Sequence, residues 1–354
     1  MRLRFEHGRR DDLKTLNPAY FALVMATGII SIATDLHNIP ILPTVMFWLN
    51  ALFLAGLAAA TGARILRYPR AFAADIQSHS RGVGFFTTVA ATAVFGTELV
   101  LLMDAAGIAA VFWIAAAALW FVTIYGVLAV LTVKPDKPSL ADGLNGGWLV
   151  STVASQAVAL LTVLISAAGA FAGLERPLLF AALVLWLGGG ALYLWIMTLI
   201  FFRYTFVHMA PDDLTPPYWI NMGAVAISAL VGATLIEHAA LSPDVAEIVP
   251  FVKGLTLFFW AIATWWVPML IVLGAWHYLI CGAPVAYDPL YWGGVFPLGM
   301  YSVSTYHLAK ILEAPFLMPL SKLFMVIAVL AWVVTFAGLV DSRLNRGPRA
   351  QSPD

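Results

Sequence analysis

Apolar residues gather into ten runs, at 18–35, 41–63, 83–103, 107–133, 144–168, 177–202, 217–238, 251–280, 292–309 and 317–340, and most charged side chains fall between them. A helix needs about 20 apolar residues to cross the hydrocarbon core, so each run is a candidate span. The runs predict an all-α polytopic membrane protein with ten transmembrane helices. Residues 1–17 form an N-terminal arm, 18–340 a single transport domain and 341–354 a C-terminal tail. Links of a few residues place successive helices antiparallel in one bundle. The first run follows a polar arm and lacks a small-residue cleavage site, so it is expected to stay in the mature chain.

Two kinds of run alternate. The odd ones carry small and polar side chains: Thr27, Gly28, Ser31 and Thr34 in the first, Thr92, Gly96, Thr97 and Glu98 in the third, Ser151, Ser155 and Gln156 in the fifth. The seventh has Asn221, Gly223 and Ser228, and the ninth has Gly293, Gly294, Pro297 and Gly299. Even runs carry large rings such as Trp48, Phe53, Trp113, Trp120 and Trp195. This alternation predicts five helical hairpins, odd helices lining an axis and even helices facing lipid, because polar groups survive at membrane depth only beside protein or water. Close helix packing accounts equally for any single Gly, Ser or Thr.

With 62% hydrophobic and 11% charged residues, a soluble globular domain is excluded. The net charge of zero conceals an uneven placement. With a cytoplasmic N-terminus, Arg2, Arg4, Arg9, Arg10, Lys14, Arg64, Arg67, Arg70, Arg81, Lys134, Lys137, Arg203, Arg343, Arg346 and Arg349 share the cytoplasmic side. Arg176, Lys253, Lys310 and Lys322 are left opposite. This bias predicts a multi-pass protein of the cytoplasmic (inner) membrane with both termini inside. The basic residues read as topology signals and contacts to membrane lipids, and no nucleic-acid partner is expected. Cys281 is the sole cysteine, which rules out a disulfide within the chain. With no phosphate-cradling loop, HExxH or GxSxG, neither an enzyme nor a bound cofactor or metal is expected.

Candidate chemistry concentrates in the ninth run. Pro297 removes an intrahelical donor, so the helix is expected to kink near Phe296, whose ring then either packs in the core or closes a narrow conduit by excluding water. Breaks at Gly28, Gly146-Gly147, Gly223 and Gly293-Gly294 would expose N–H groups suited to anions. Candidate pore-lining or substrate-contact residues are Gly28, Ser31, Thr92, Glu98, Ser151, Ser155, Asn221, Gly223, Gly294 and Pro297. Glu98, the carboxylate deepest in a run, reads as a structural hydrogen-bond partner, a proton carrier or a selectivity group. His307 and Lys310, one turn apart, are candidates to attract an anion to the outer mouth.

Three stretches carry a resemblance: Pro18-Ala-Tyr-Phe-Ala-Leu-Val-Met-Ala-Thr-Gly28, Pro217-Tyr-Trp-Ile-Asn-Met-Gly-Ala and Trp292-Gly-Gly-Val-Phe-Pro-Leu-Gly. In order and topology, residues 13–340 resemble the tellurite-resistance/dicarboxylate transporter family, which includes slow-type anion channels and fungal malate transporters. The resemblance implies five hairpins around a pseudo-fivefold central pore, assembly as a homotrimer, and Phe296 as the occluding residue. It implies a passive or gated channel for small inorganic or organic anions, or alternatively a proton-coupled carrier of C4-dicarboxylates such as malate. Nothing in the sequence selects among chloride, nitrate, sulfite, tellurite and malate.

Overall fold

The computed structural model describes residues 13–282 and 287–344. Arg2, Arg4, Arg9, Arg10, Arg346 and Arg349 lie outside them. The described chain forms ten helices of fifteen residues or more: α1 Ala22–Leu36, α2 Leu42–Arg67, α3 Phe86–Met103, α4 Ala106–Val133, α5 Val150–Ala167, α6 Glu175–Phe206, α7 Ile220–Glu237, α8 Val249–Ala275, α9 Trp292–Ile311 and α10 Met318–Leu344. Among the described residues, nine of these regions are long and apolar enough to cross a membrane. The remaining one, α9, is 20 residues long but rich in Gly, Ser, Thr and Tyr. The protein is an all-α, multi-pass membrane protein.

Packing separates the helices into two sets. α1 packs on α3, α3 on α5, α5 on α7, α7 on α9, and α9 back on α1, which closes a ring. Each ring helix also packs against the long helix that follows it, α2, α4, α6, α8 or α10. The apolar windows of α1, α3, α5 and α7 are 78%, 78%, 100% and 89% buried, whereas those of the outer helices are 22–39% buried. Small residues let ring backbones approach closely, while Trp48, Phe121, Trp195, Trp265 and Val334 stay exposed on the outer set, as a lipid-facing surface requires.

A repeated polar tie joins each outer helix to the next ring helix. The indoles of Trp113 and Trp120 on α4 donate to Thr162 and Ser155 on α5, both at 2.8 Å. Trp186 on α6 donates to the Ser228 carbonyl of α7 at 2.7 Å, Trp260 on α8 to Thr305 of α9 at 2.9 Å, and Trp332 on α10 to Thr27 of α1 at 3.0 Å. The fifth tie, from α2 to α3, is made by different groups: the Asn50 amide donates to the Glu98 carboxylate. Hydrogen bonds between helices inside a membrane contribute about 1 kcal/mol each. Their value here lies also in fixing the rotation of each outer helix.

Every ring helix is entered through a 3-10 turn: Pro18–Phe21, Gly82–Phe85, Gly146–Leu149, Pro216–Trp219 and Pro289–Tyr291. The side chains of Asn17, Asn145 and Asp288 accept the backbone N–H two residues on, and proline opens three of the turns, where its missing donor costs nothing. Gly146 is the tightest of these points. A Cβ there would lie 2.7 Å from the Tyr218 nitrogen and closer still to the Pro217 carbonyl, all backbone atoms that cannot swing aside. Gly146→Ala is therefore expected to lower stability by about 3 kcal/mol, the upper range for overpacking, read as a fall in the detergent-solubilised melting temperature. Gly188→Ala, which meets nothing within 4 Å, is the neutral control.

The expected breaks at Gly28 and Gly223 are not present. α1 and α7 run through them without interruption, and both glycines instead make room for a neighbour. A Cβ at Gly28 would meet Val94, Asn50 and Glu98, and one at Gly223 would sit 2.7 Å from the Pro297 ring. α9 likewise continues through Pro297, whose bulk Gly223 accommodates.

Candidate functional site

Three cavities follow one another along the ring. The first, about 450 Å³, is lined by the beginnings of all five ring helices, including Ala22, Thr87, Val150, Ile220 and Gly293. The same five residues, joined by Met25, Val153 and Phe296, line a second cavity of only about 10 Å³, room for about one water molecule. The third, about 120 Å³, is lined by the same helices farther along, at Ile29, Val94, Leu160, Leu230 and Met300, and ends at Glu237, His238 and His307. The ring helices therefore run parallel, with their beginnings at one mouth and their ends at the other. Phe296, 1% exposed, lines the smallest of the three.

The wide mouth is the most polar of the three. Its wall includes Asn17, Arg81, Asn145, Arg203 and Thr215. Arg81 is held by both carboxylate oxygens of Asp75, at 2.6 and 3.0 Å, and by the Leu16 carbonyl at 3.2 Å. The buried Arg203 donates to the Ala141 carbonyl at 3.2 Å and to the Tyr218 hydroxyl, and pairs with Asp213 at 3.4 Å. Asp75 also pairs with Arg64 at 2.7 Å, so this group of two arginines and one carboxylate keeps a net positive charge, beside five converging helix beginnings with their positive dipole ends. Sequence reasoning treated both arginines as topology signals. Their place at the mouth could have been suspected from Asn17-Pro18 and Asn145-Gly146, the turn signals that bring the ring helices there.

Most hydroxyls singled out in the sequence bind protein. Ser31 donates to the Pro43 carbonyl, Thr92 to Thr88, Ser151 to Trp148 and Ser155 to Ser151. The Asn221 amide donates to Tyr204 at 2.9 Å. Gly294 faces a lateral cavity rather than the axis, and Pro297 abuts Gly223. Phe296 and His307 line the axial cavities. Glu98 is fully buried at the α2–α3 contact beside Gly28, with Asn50 on one carboxylate oxygen and no protein partner on the other.

At the narrow end His307 Nδ1 meets both Glu237 oxygens, at 2.9 and 3.0 Å, and Lys310 Nζ rests 4.6 Å from the Tyr306 ring centroid instead of facing the cavity. His238 beside them is pushed below the ordinary imidazole range, first by burial, with Glu237 opposing and His307 adding to the shift. His238 is thus neutral at neutral pH and gains charge only in acid. Acidifying this mouth from neutral to well below the ordinary imidazole range adds positive charge around Glu237, and anion flux is expected to rise about threefold. Glu237→Gln should raise flux at neutral pH and flatten the profile, read in vesicles with pH varied on that side.

The sequence profile of the voltage-dependent anion channel family matches residues 15–340. The chain belongs to this family. An uncharacterised membrane protein of Mycobacterium tuberculosis (strain ATCC 25618 / H37Rv) is 34% identical over 149 residues, covering 42% of this chain and 75% of that protein. Two uncharacterised transporters of Methanocaldococcus jannaschii are each 25% identical, over 308 and 312 residues, covering 84% and 86% of this chain and 86% of each relative. Membership of the voltage-dependent anion channel family makes the protein an anion channel or transporter and not an enzyme.

Proposed function

We propose that the chain is a gated channel for small anions whose path is the ring axis. Ten spans form five hairpins around a pseudo-fivefold pore, and Phe296 is the gate. The observation that carries this reading is the succession of cavities of about 450, 10 and 120 Å³ along one ring, with Phe296 at the waist. The wide mouth is cytoplasmic, in keeping with Lys14, Arg64, Arg81, Lys134 and Arg203 at that end, and both termini lie on that side of the inner membrane. Residues 18–340 act as one transport domain, and three copies assemble as the family resemblance implies.

Channel-like conduction is favoured over tight-binding transport because neither Lys nor Arg lines the second or third axial cavity, and a permeant ion must leave as readily as it enters. The proton-coupled dicarboxylate alternative needs a titrating group deep on the path, whereas Glu98 sits at a helix–helix contact and Glu237, His238 and His307 line only the last of the three cavities. Anion efflux from proteoliposomes under an imposed potential, compared between wild type and Phe296→Ala, tests the proposal. Potential-driven flux without a pH gradient supports a channel, whereas malate movement that requires the pH gradient and ignores the substitution supports the carrier.

A further inference from the structure

Behind the waist lies a fourth cavity. It holds about 210 Å³ between the turn before α7, the end of α8, the beginning of α9 and α10. Gly294, Val295 and Leu298 line it from α9, one helix face away from Gly293 and Phe296, which face the axis. Its walls are mostly apolar, contributed by Leu270, Leu273, Trp219 and Ala331 among others. An apolar cavity of about 150 Å³ already accepts benzene, so this one has room for the end of a single alkyl chain. Its polar groups are few. The Tyr278 and Tyr291 hydroxyls bond each other at 2.7 Å, and the buried His277 Nδ1 has no partner among the described residues. The flank of α8 and of the π-turn Trp276–Ile280 leaves Ile271, Val272, Leu279 and Ile280 exposed, so the cavity borders the surface that meets lipid.

From this geometry we infer that the cavity binds a single-chain fatty acid drawn from the bilayer, and that its occupancy holds the Phe296 segment of α9 against the axis. The carboxyl head matches the His277 ring and the tyrosine hydroxyls, and the tail fills the space beside Gly294 and Leu298. A phospholipid fits less well: the wall holds neither Lys nor Arg for a phosphate, and the volume admits one chain rather than two. The regulatory half rests on the gate proposed above. With the space behind Gly294 filled, the first turns of α9 cannot shift away from the axis, so bound fatty acid lowers flux.

Photolabelling with a diazirine fatty acid, on the full chain in nanodiscs, tests the site without reference to flux. Label is expected on peptides covering residues 270–280 and 291–298. It should fall at least about fivefold, equivalent to ~1 kcal/mol of binding, in Gly294→Leu, whose Cβ has ordinary 3.7 Å clearance to Trp219 and whose side chain would enter the cavity. His277→Leu should reduce labelling by the acid but not by a diazirine hydrocarbon of equal length. Labelling spread over outer helices and indifferent to both substitutions means annular lipid only and overturns the site. Fatty acid should also lower wild-type flux several-fold while leaving Phe296→Ala unaffected. Labelling at the site with no change in wild-type flux would overturn the regulatory half alone. Failure of Phe296→Ala to conduct would count against the gate and leave the binding result standing.

Discussion

Phe296→Ala is expected to raise potential-driven anion flux at least about tenfold, which corresponds to ~1.4 kcal/mol off the barrier. As the proposed gate, the ring closes a waist of about 10 Å³ whose other walls are Ala22, Met25, Thr87, Val150, Val153, Ile220 and Gly293. An ion there has lost its water and meets apolar side chains with no charged group among them, which is how an apolar constriction blocks conduction. Removing six ring carbons merges the cavities on either side into one hydrated path. Phe296→Leu should fall between wild type and alanine, and Phe296→Trp should stay closed. The apolar throat lined by Leu160, Leu230 and Met300 makes dehydration costly, so nitrate should exceed chloride, and chloride a doubly charged dicarboxylate. Valinomycin-clamped proteoliposomes provide the measurement. Equal flux in wild type, alanine and leucine variants of equal melting temperature would sink the gate.

The division into ring and outer helices was legible in the sequence because lipid and protein demand different surfaces. Gly28, Thr92, Ser155 and Gly223 collect where helices touch, whereas Trp48, Phe121 and Trp195 collect where they meet hydrocarbon. The place of Phe296 on an inner helix beside the axis was also legible, through its Gly-Gly-Val-Phe-Pro setting and the family resemblance, while its gating role is a proposal. The hydroxyls were harder to place, because a Ser or Thr that bonds its own helix or a neighbouring indole has the same composition signal as one that faces a pore. Ser155 does both, giving its proton to Ser151 and accepting that of Trp120. Gly28 and Gly223 misled for a related reason: glycine marks close approach as well as a break, and here it admits Asn50, Glu98 and the ring of Pro297. The walls of the waist carried no signal, since Met25, Val153 and Ile220 resemble any buried apolar residue.

Glu98→Gln is expected to leave flux and its pH profile within about twofold of wild type, whereas Glu98→Ala should cost ~2 kcal/mol of stability. Four of the five contacts between an outer helix and the next ring helix are tied by an indole, and the fifth is tied by Asn50 and Glu98. That shared position makes Glu98 the acceptor of a structural tie. Glutamine keeps an oxygen for the Asn50 amide at nearly the same volume. Alanine leaves that amide buried without a partner and opens a gap beside Gly28, so the cost combines desolvation with lost packing. Asn50→Ala should destabilise similarly, and the double variant should cost less than the sum of the two, because both single changes break one contact. Melting temperatures in detergent read the stability terms, and flux at two pH values reads the functional one. If Glu98→Gln instead abolished uptake driven by a pH gradient in a protein of unchanged melting temperature, Glu98 would be a proton carrier, and the coupled-carrier mechanism would displace the channel.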